Sequence, residues 1–329
     1  MIIAEMGQKS IEMGMVNSMQ FKKPIYVLLY HPWMDGFKEY FRVHLSWLKR
    51  NRFESIELGE LVDYVRGEEI SVPERPIAIT LDDGTIENFT LVYPLLQEYG
   101  YTGTVFAPTA NKYIEMSGMD WWREVEDKDV LRIEGHSHTH ALAFVNDHVH
   151  DFYVREKKDR EPIIKGLDAR PGAPIFELGY ELVLKRFLPD TALIDGCIHH
   201  VEKQGGVAFF EEEDWKEEMM NLISEYQGHR GRYETDEEER ERIREELELP
   251  KPIIERAVGK EKKVHFFAYP FGAHNSDLVE SVKHAGYRGA FTTDPGGNIK
   301  GDNPYLLKRM MVLGRDSFGG LEGILAEYM

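Results

Sequence analysis

Two adjacent carboxylates, Asp82 and Asp83, follow the apolar run Ile77, Ala78, Ile79 and Leu81 and precede Gly84. Acids at the end of a buried segment lose solvation and repel each other. The chain must gain something from them, most simply a cation or a shared proton. The alternative is a plain Asp-Asp-Gly turn capping the next helix, since Asp is a common N-cap. A second cluster, His136-Ser137-His138-Thr139-His140, has three histidines at alternate positions. Packing explains such a cluster poorly, and metal binding explains it well. If the stretch turns helical, His136 and His140 share a face at the i, i+4 spacing and His138 points elsewhere. His31 ends another apolar run beside Pro32, as a structural turn residue or a catalytic group. Trp121 and Trp122 suit either core packing or a platform for stacking a sugar.

These groups must be held by the elements around them. Residues 25–30, 77–81, 104–107, 131–134, 264–268 and 290–293 read as short buried strands. Between them, Phe41, Leu45 and Leu48, then Leu58, Leu61, Val62 and Val65, then Phe89, Val92, Tyr93 and Leu96, then Leu278, Val282 and Ala285 recur at helical spacing. Repeated strand–helix units predict an α/β fold with a barrel or a doubly wound sheet, whose sites gather at the C-terminal ends of strands. Asp82, Asp83, His31, His136 and Tyr269 all fall there. Between about 147 and 232 the rhythm fails, which predicts a mostly helical or irregular insertion. Phe176, Leu182, Leu184, Phe187 and Leu188 suggest an amphipathic helix within it. The insertion could form a lid that sets substrate length, or a surface for homo-oligomer assembly. Trp215, Phe176 and Tyr180 are either core residues or sugar-stacking residues. Residues 235–247 open with the capping pattern Thr235-x-x-Glu238, and Asp236/Arg240 and Glu238/Arg242 are spaced for i, i+4 pairs. This reads as a solvated helix.

Composition narrows the function classes. With 42% hydrophobic and 12% aromatic residues, the 329-residue chain can bury a large core. A net charge of −18 argues against nucleic acid and against anionic lipid as partners. The single cysteine, Cys197, excludes an internal disulfide and a Cys-rich metal site, and reads as a small core residue. No apolar run approaches the roughly 18 residues of a membrane span. Residues 1–20 lack the basic start and apolar stretch of a secretory signal. They read as an N-terminal extension to a catalytic domain over 21–329, and a cytoplasmic location is expected.

Taken in order, these motifs resemble the polysaccharide deacetylase (NodB-like) superfamily, carbohydrate esterase family four. Thr80-Leu81-Asp82-Asp83-Gly84 resembles its T-F-D-D-G motif, and residues 136–140 match H-[ST]-x-x-H. Tyr269-Pro270-Phe271-Gly272 resembles the third motif, R-x-P-[YF]-G. Leu29-Tyr30-His31 and Leu307-Lys308-Arg309 are similar to the branch containing poly-N-acetylglucosamine deacetylases. The resemblance covers about 25–145 and 233–315. It implies an irregular (β/α) barrel of about seven strands. It also implies a divalent cation, usually zinc, on Asp83, His136 and His140, with Asp82 as general base. A backbone N–H near Tyr269 or Thr85 would help to stabilise the oxyanion. The implied reaction is removal of N-acetyl groups from an amino sugar or glycan. Tyr269, Pro270, Trp122 and Arg309 are expected on the substrate side. Two departures stand out. The third motif's arginine falls at Ala268, and Arg309 is the candidate to replace it. The acid histidine of the last motif has no match, and His31 is the candidate substitute. Another C–N hydrolase on the same barrel, or a glycan-binding protein without catalysis, are the competing readings.

Overall fold

The computed structural model describes residues 24–110, 119–154, 163–259, 262–312 and 317–328. The expected extension at 1–20 lies outside the described residues. The chain enters the barrel through β1 (Tyr26–Tyr30), α1 (Phe37–Arg50), a two-residue β2 (Glu54–Ser55), α2 (Leu58–Val65) and β3 (Pro76–Leu81). A π-helical turn at Asn88–Val92 leads into α3 (Tyr93–Tyr99), β4 (Gly103–Ala107), α4 (Met119–Asp127) and β5 (Leu131–Gly135). Every residue of β1 and β3 is buried, which is why both read as largely apolar runs, broken in β3 only by Thr80, rather than alternating ones. Helix α1 buries Phe37, Tyr40, Phe41, His44, Leu45, Trp47 and Leu48, a single stripe against the sheet. Gly100, at φ 74°, ends α3 in the left-handed conformation that glycine adopts without strain.

An insertion follows. It comprises β6 (Leu142–Phe152), β7 (Ile164–Lys165), β8 (Pro174–Tyr180), β9 (Phe187–Pro189), α5 (Thr191–Lys203), α6 (Trp215–Glu225) and β10 (Gly231–Tyr233). Strands β7, β6 and β8 form one small sheet, and β9 and β10 pair antiparallel. The amphipathic helix expected around Phe176 and Phe187 is absent, because both rings lie on strands. There they meet Phe144, Phe152, Leu193, Cys197 and Met219 in a core separate from that of the barrel. Cys197 is buried there, as a core residue should be.

The barrel resumes with α7 (Asp236–Glu248), α8 (Pro250–Val258), β11 (Phe266–Ala268), α9 (Ser276–His284), β12 (Gly289–Phe291), β13 (Met310–Met311) and α10 (Ser317–Ile324). Seven parallel strands in the order β12-β11-β5-β4-β3-β1-β13 curl into a half-barrel with helices around it, and β2 adds to the start of β3. Leu307 bridges to Phe291 of β12, and Met310 pairs with Leu28 of β1. One short segment therefore runs from one edge of the sheet to the other, and it carries Arg309. The capping box at Thr235 forms as its sequence predicts. The expected Glu238–Arg242 pair does not, because Arg242 turns inward to Glu234 at 2.5 Å and Glu238 pairs with Arg232 at 2.7 Å. Among the described residues no helix is long and apolar enough to cross a membrane.

Candidate active site

β3 delivers Asp82 and Asp83 to the C-terminal mouth of the barrel. Asp83 and Gly84 both have positive φ, 72° and 58°, and this turns the chain sharply away. A Cβ on Gly84 would lie 2.7 Å from that of Ala107, so only glycine fits here. Asp82 is 3% exposed and Arg309 is fully buried behind it. The guanidinium donates to both carboxylate oxygens, Nη1 to Oδ1 at 2.7 Å and Nη2 to Oδ2 at 2.8 Å, while Nε donates to the Thr292 carbonyl at 2.8 Å. Burial alone would raise the Asp82 pKa. Arg309 outweighs it, with help from His31, and the carboxyl is held down at about 2. Asp82 is thus ionised and fixed in orientation by a two-pronged pair.

The histidine motif is a loop and not a helix. Ser137 and His140 take positive φ, 60° and 47°, and the Ser137 hydroxyl accepts the His140 N–H at 2.9 Å. These dihedrals, rather than helical spacing, bring His136 and His140 together with ring centroids 4.7 Å apart. The Nε2 atoms of His136 and His140 lie 3.9 and 3.7 Å from Asp83 Oδ1. One ligand atom from each of the three residues falls within 4.8 Å of the others. His136 Nδ1 sits 2.8 Å from the Ala268 carbonyl, which can only accept, so that nitrogen carries the proton and Nε2 keeps its lone pair. Burial lowers the His136 pKa to about 4 and keeps the imidazole neutral. The Trp33 indole donates to Asp83 Oδ2 at 2.8 Å, leaving Oδ1 turned toward the histidines. Two imidazoles and one carboxylate, with His136 and Asp83 each oriented from behind, form a donor set that can hold a divalent cation with positions left open.

The remaining expected residues divide. His31 follows β1 at the same mouth, edge-on to Trp33 with centroids 5.9 Å apart, and close enough to lower the Asp82 pKa. His138 turns away to Thr109, 2.9 Å from its hydroxyl. Trp122 is fully buried in the barrel core and offers no face to a sugar. Tyr269 is also buried, its hydroxyl donating to the Tyr305 carbonyl and its N–H to Phe291. That N–H is therefore spent and cannot serve an oxyanion, and Pro270 beside it is buried too. Arg309 has no open face for substrate, because its place is behind Asp82. The aromatic that does reach the mouth is Phe271, at φ 59° and 39% exposed. Its ring lies 4.5 Å from that of His140 and is stacked at 5.1 Å on Tyr180 from the insertion, which is 45% exposed. Phe271 occupies the [YF] position of the third motif, which was the signal for it. Trp33 carried only its nearness to His31.

A parallel half-barrel with an acid pair after β3 and a histidine loop after β5 defines the NodB-like (β/α) barrel. The family model for polysaccharide deacetylase matches residues 69–164 and 225–290. The chain belongs to the polysaccharide deacetylase family. Poly-beta-1,6-N-acetyl-D-glucosamine N-deacetylase of Escherichia coli (strain K12) is 24% identical over 255 residues, covering 78% of this chain. The chain spans only 30% of that relative's length. Among solved structures, the BpsB deacetylase domain from Bordetella bronchiseptica matches with a TM-score of 0.57 at 18% identity, covering 87% of this chain and 95% of that one. The Streptococcus pyogenes deacetylase PplD, solved in complex with acetate, matches at 0.56 and 13% identity, covering 92% and 98%.

Proposed function

We propose that this protein is a divalent-cation-dependent N-deacetylase acting on an N-acetylated amino sugar or its polymer. The observation that carries the reading is the pairing of two carboxylates with different duties. Asp82 is charged and fixed by Arg309. Asp83, one residue on, points an oxygen at the Nε2 atoms of two histidines. A cation held by Asp83, His136 and His140, zinc by the chemistry of the donors, would supply Lewis-acid polarisation of the amide carbonyl and acidify a water molecule. Asp82 takes a proton from the attacking water as its oxygen bonds to the acetyl carbon. The C–N bond then breaks, and the amine leaves with a proton from His31 while the acetyl group departs as acetate. Phe271 and Tyr180 supply an apolar wall for one face of the sugar. The E. coli relative's name makes β-1,6-linked N-acetylglucosamine oligomers the first substrate to try.

Elemental analysis beside acetate release, on the parent and on Asp83→Ala, tests this. About one zinc per chain, lost together with acetate release in the variant, is the expected result. Zinc without acetate release from any N-acetylated sugar would refute the substrate class. No metal in the parent would refute the ligand assignment.

A further inference from the structure

The loop that carries His136 and His140 is pinned by groups well outside the motif. Its two left-handed residues, Ser137 and His140, are not glycine and hold a conformation that L side chains rarely adopt. A carboxylate from α7 faces the backbone between them. Glu246 Oε2 accepts the His138 N–H at 3.0 Å and the Thr139 N–H at 2.8 Å, while Oε1 accepts the Thr139 hydroxyl at 2.8 Å. Glu246 is only 3% exposed. A charge buried that deeply needs a partner, and the insertion supplies one. The Lys165 ammonium, from β7, lies 3.3 Å from Glu246 Oε1. Glu181, the residue after β8, places Oε2 3.0 Å from the Thr139 hydroxyl.

We propose that Glu246 is a positioning residue for the histidine loop, and that Lys165 and Glu181 make the insertion part of the same clamp. The proposal rests on reading Asp83, His136 and His140 as cation ligands. Glu246 touches neither substrate nor cation. It fixes the two peptide groups that connect the ligands, and so sets the angle at which the two imidazoles converge. Partners of this kind typically alter metal affinity by about 10- to 100-fold when removed. The insertion then bears on the chemistry itself, because two of its residues hold the loop's anchor in place.

The test compares zinc affinity, by competition with a chromophoric chelator, and the visible spectrum of the cobalt-substituted protein. Glu246→Ala is expected to bind zinc about 10- to 100-fold more weakly and to change the cobalt bands. Glu246→Gln keeps an oxygen for both N–H groups and is expected to retain most of the affinity. That rescue would not follow from a merely buried charge. Thr139→Val, which keeps the backbone bonds and loses the hydroxyl, is expected to fall between the two, and it carries the test if Glu246→Ala does not fold. Parent affinity and parent cobalt bands in folded Glu246→Ala, or in Thr139→Val in its place, would overturn the clamp while leaving the cation reading intact. A parent protein that binds no stoichiometric zinc would instead remove the cation reading, and the clamp with it.

Discussion

Glu181 and Glu246 share one threonine hydroxyl, and a hydroxyl has one hydrogen. Thr139 Oγ1 lies 2.8 Å from Glu246 Oε1 and 3.0 Å from Glu181 Oε2, so it can donate to only one of them. Glu246 also collects two backbone N–H groups and the nearer approach of Lys165, at 3.3 Å against 3.8 Å for Glu181. The charge therefore belongs on Glu246 and a proton on Glu181. Burial, and then the neighbouring Glu246 charge, push Glu181 from an ordinary 4.5 up to about 7, opposed by Lys165 and Arg242. A carboxyl raised on folding binds its proton more tightly in the native state. Its stabilising proton is present below the unfolded pKa, and stability is lost as pH rises toward the folded pKa. Moving a carboxyl from about 4.5 to about 7, at about 1.4 kcal/mol per tenfold change in proton affinity, is worth about 3 kcal/mol. Glu181→Gln donates to Thr139 as the protonated acid does and does not titrate. The stability of the variant relative to the parent should therefore grow by about 2 to 3 kcal/mol between pH 5 and pH 8. Urea unfolding of metal-stripped proteins at both pH values measures it, since stripping removes the metal's own pH dependence. A difference that stays constant across this range would show Glu181 ionised throughout and refute the shared-proton arrangement.

Other perturbations reach the site directly. Arg309→Met leaves Asp82 as a buried charge without its partner, at a cost of about 3–5 kcal/mol, and Arg309→Met/Asp82→Asn should regain much of that stability without regaining activity. Thermal unfolding of the single and double variants decides it, and an undiminished melting temperature in Arg309→Met would contradict the pairing. His31→Ala should lower kcat by about 10²- to 10⁴-fold while zinc content stays at the parent level. Unchanged kcat would remove His31 as the acid. Phe271→Ala and Tyr180→Ala should each raise KM by about two- to tenfold with kcat little changed, the pattern of lost sugar stacking. A fall in kcat alone would place these rings elsewhere in the cycle.

What could be read from the sequence follows from where each group finds its partners. The strands of the barrel were legible because parallel strands buried on both faces must be apolar throughout, and the acids and histidines announce themselves by interrupting those runs. The insertion was not. Strand β6 passes through Asn146, Asp147, His148 and His150 with shifts in its register to β8, so no clean alternation marks it as a strand. Phe176 and Phe187 looked helical in spacing because the core that they share is assembled from distant strands. Arg309 was legible as a residue type in want of a role. Its partner is 227 residues away, and the two meet only because the segment between β12 and β1 closes the edges of the sheet. Trp122 shows the converse, since nothing local separates a core indole from an exposed one. Glu246 was the hardest. In a helix as rich in acids as α7, the pattern favours solvated pairs between neighbours on the helix. Yet Arg242 and Glu246, i and i+4, form with Leu247 its inward stripe. Their partners, Glu234 and the histidine loop, belong to other elements. A charged stripe can face inward wherever the surrounding chain brings matched hydrogen-bonding groups to it. Only the closed fold identifies which of the many carboxylates on α7 holds the loop.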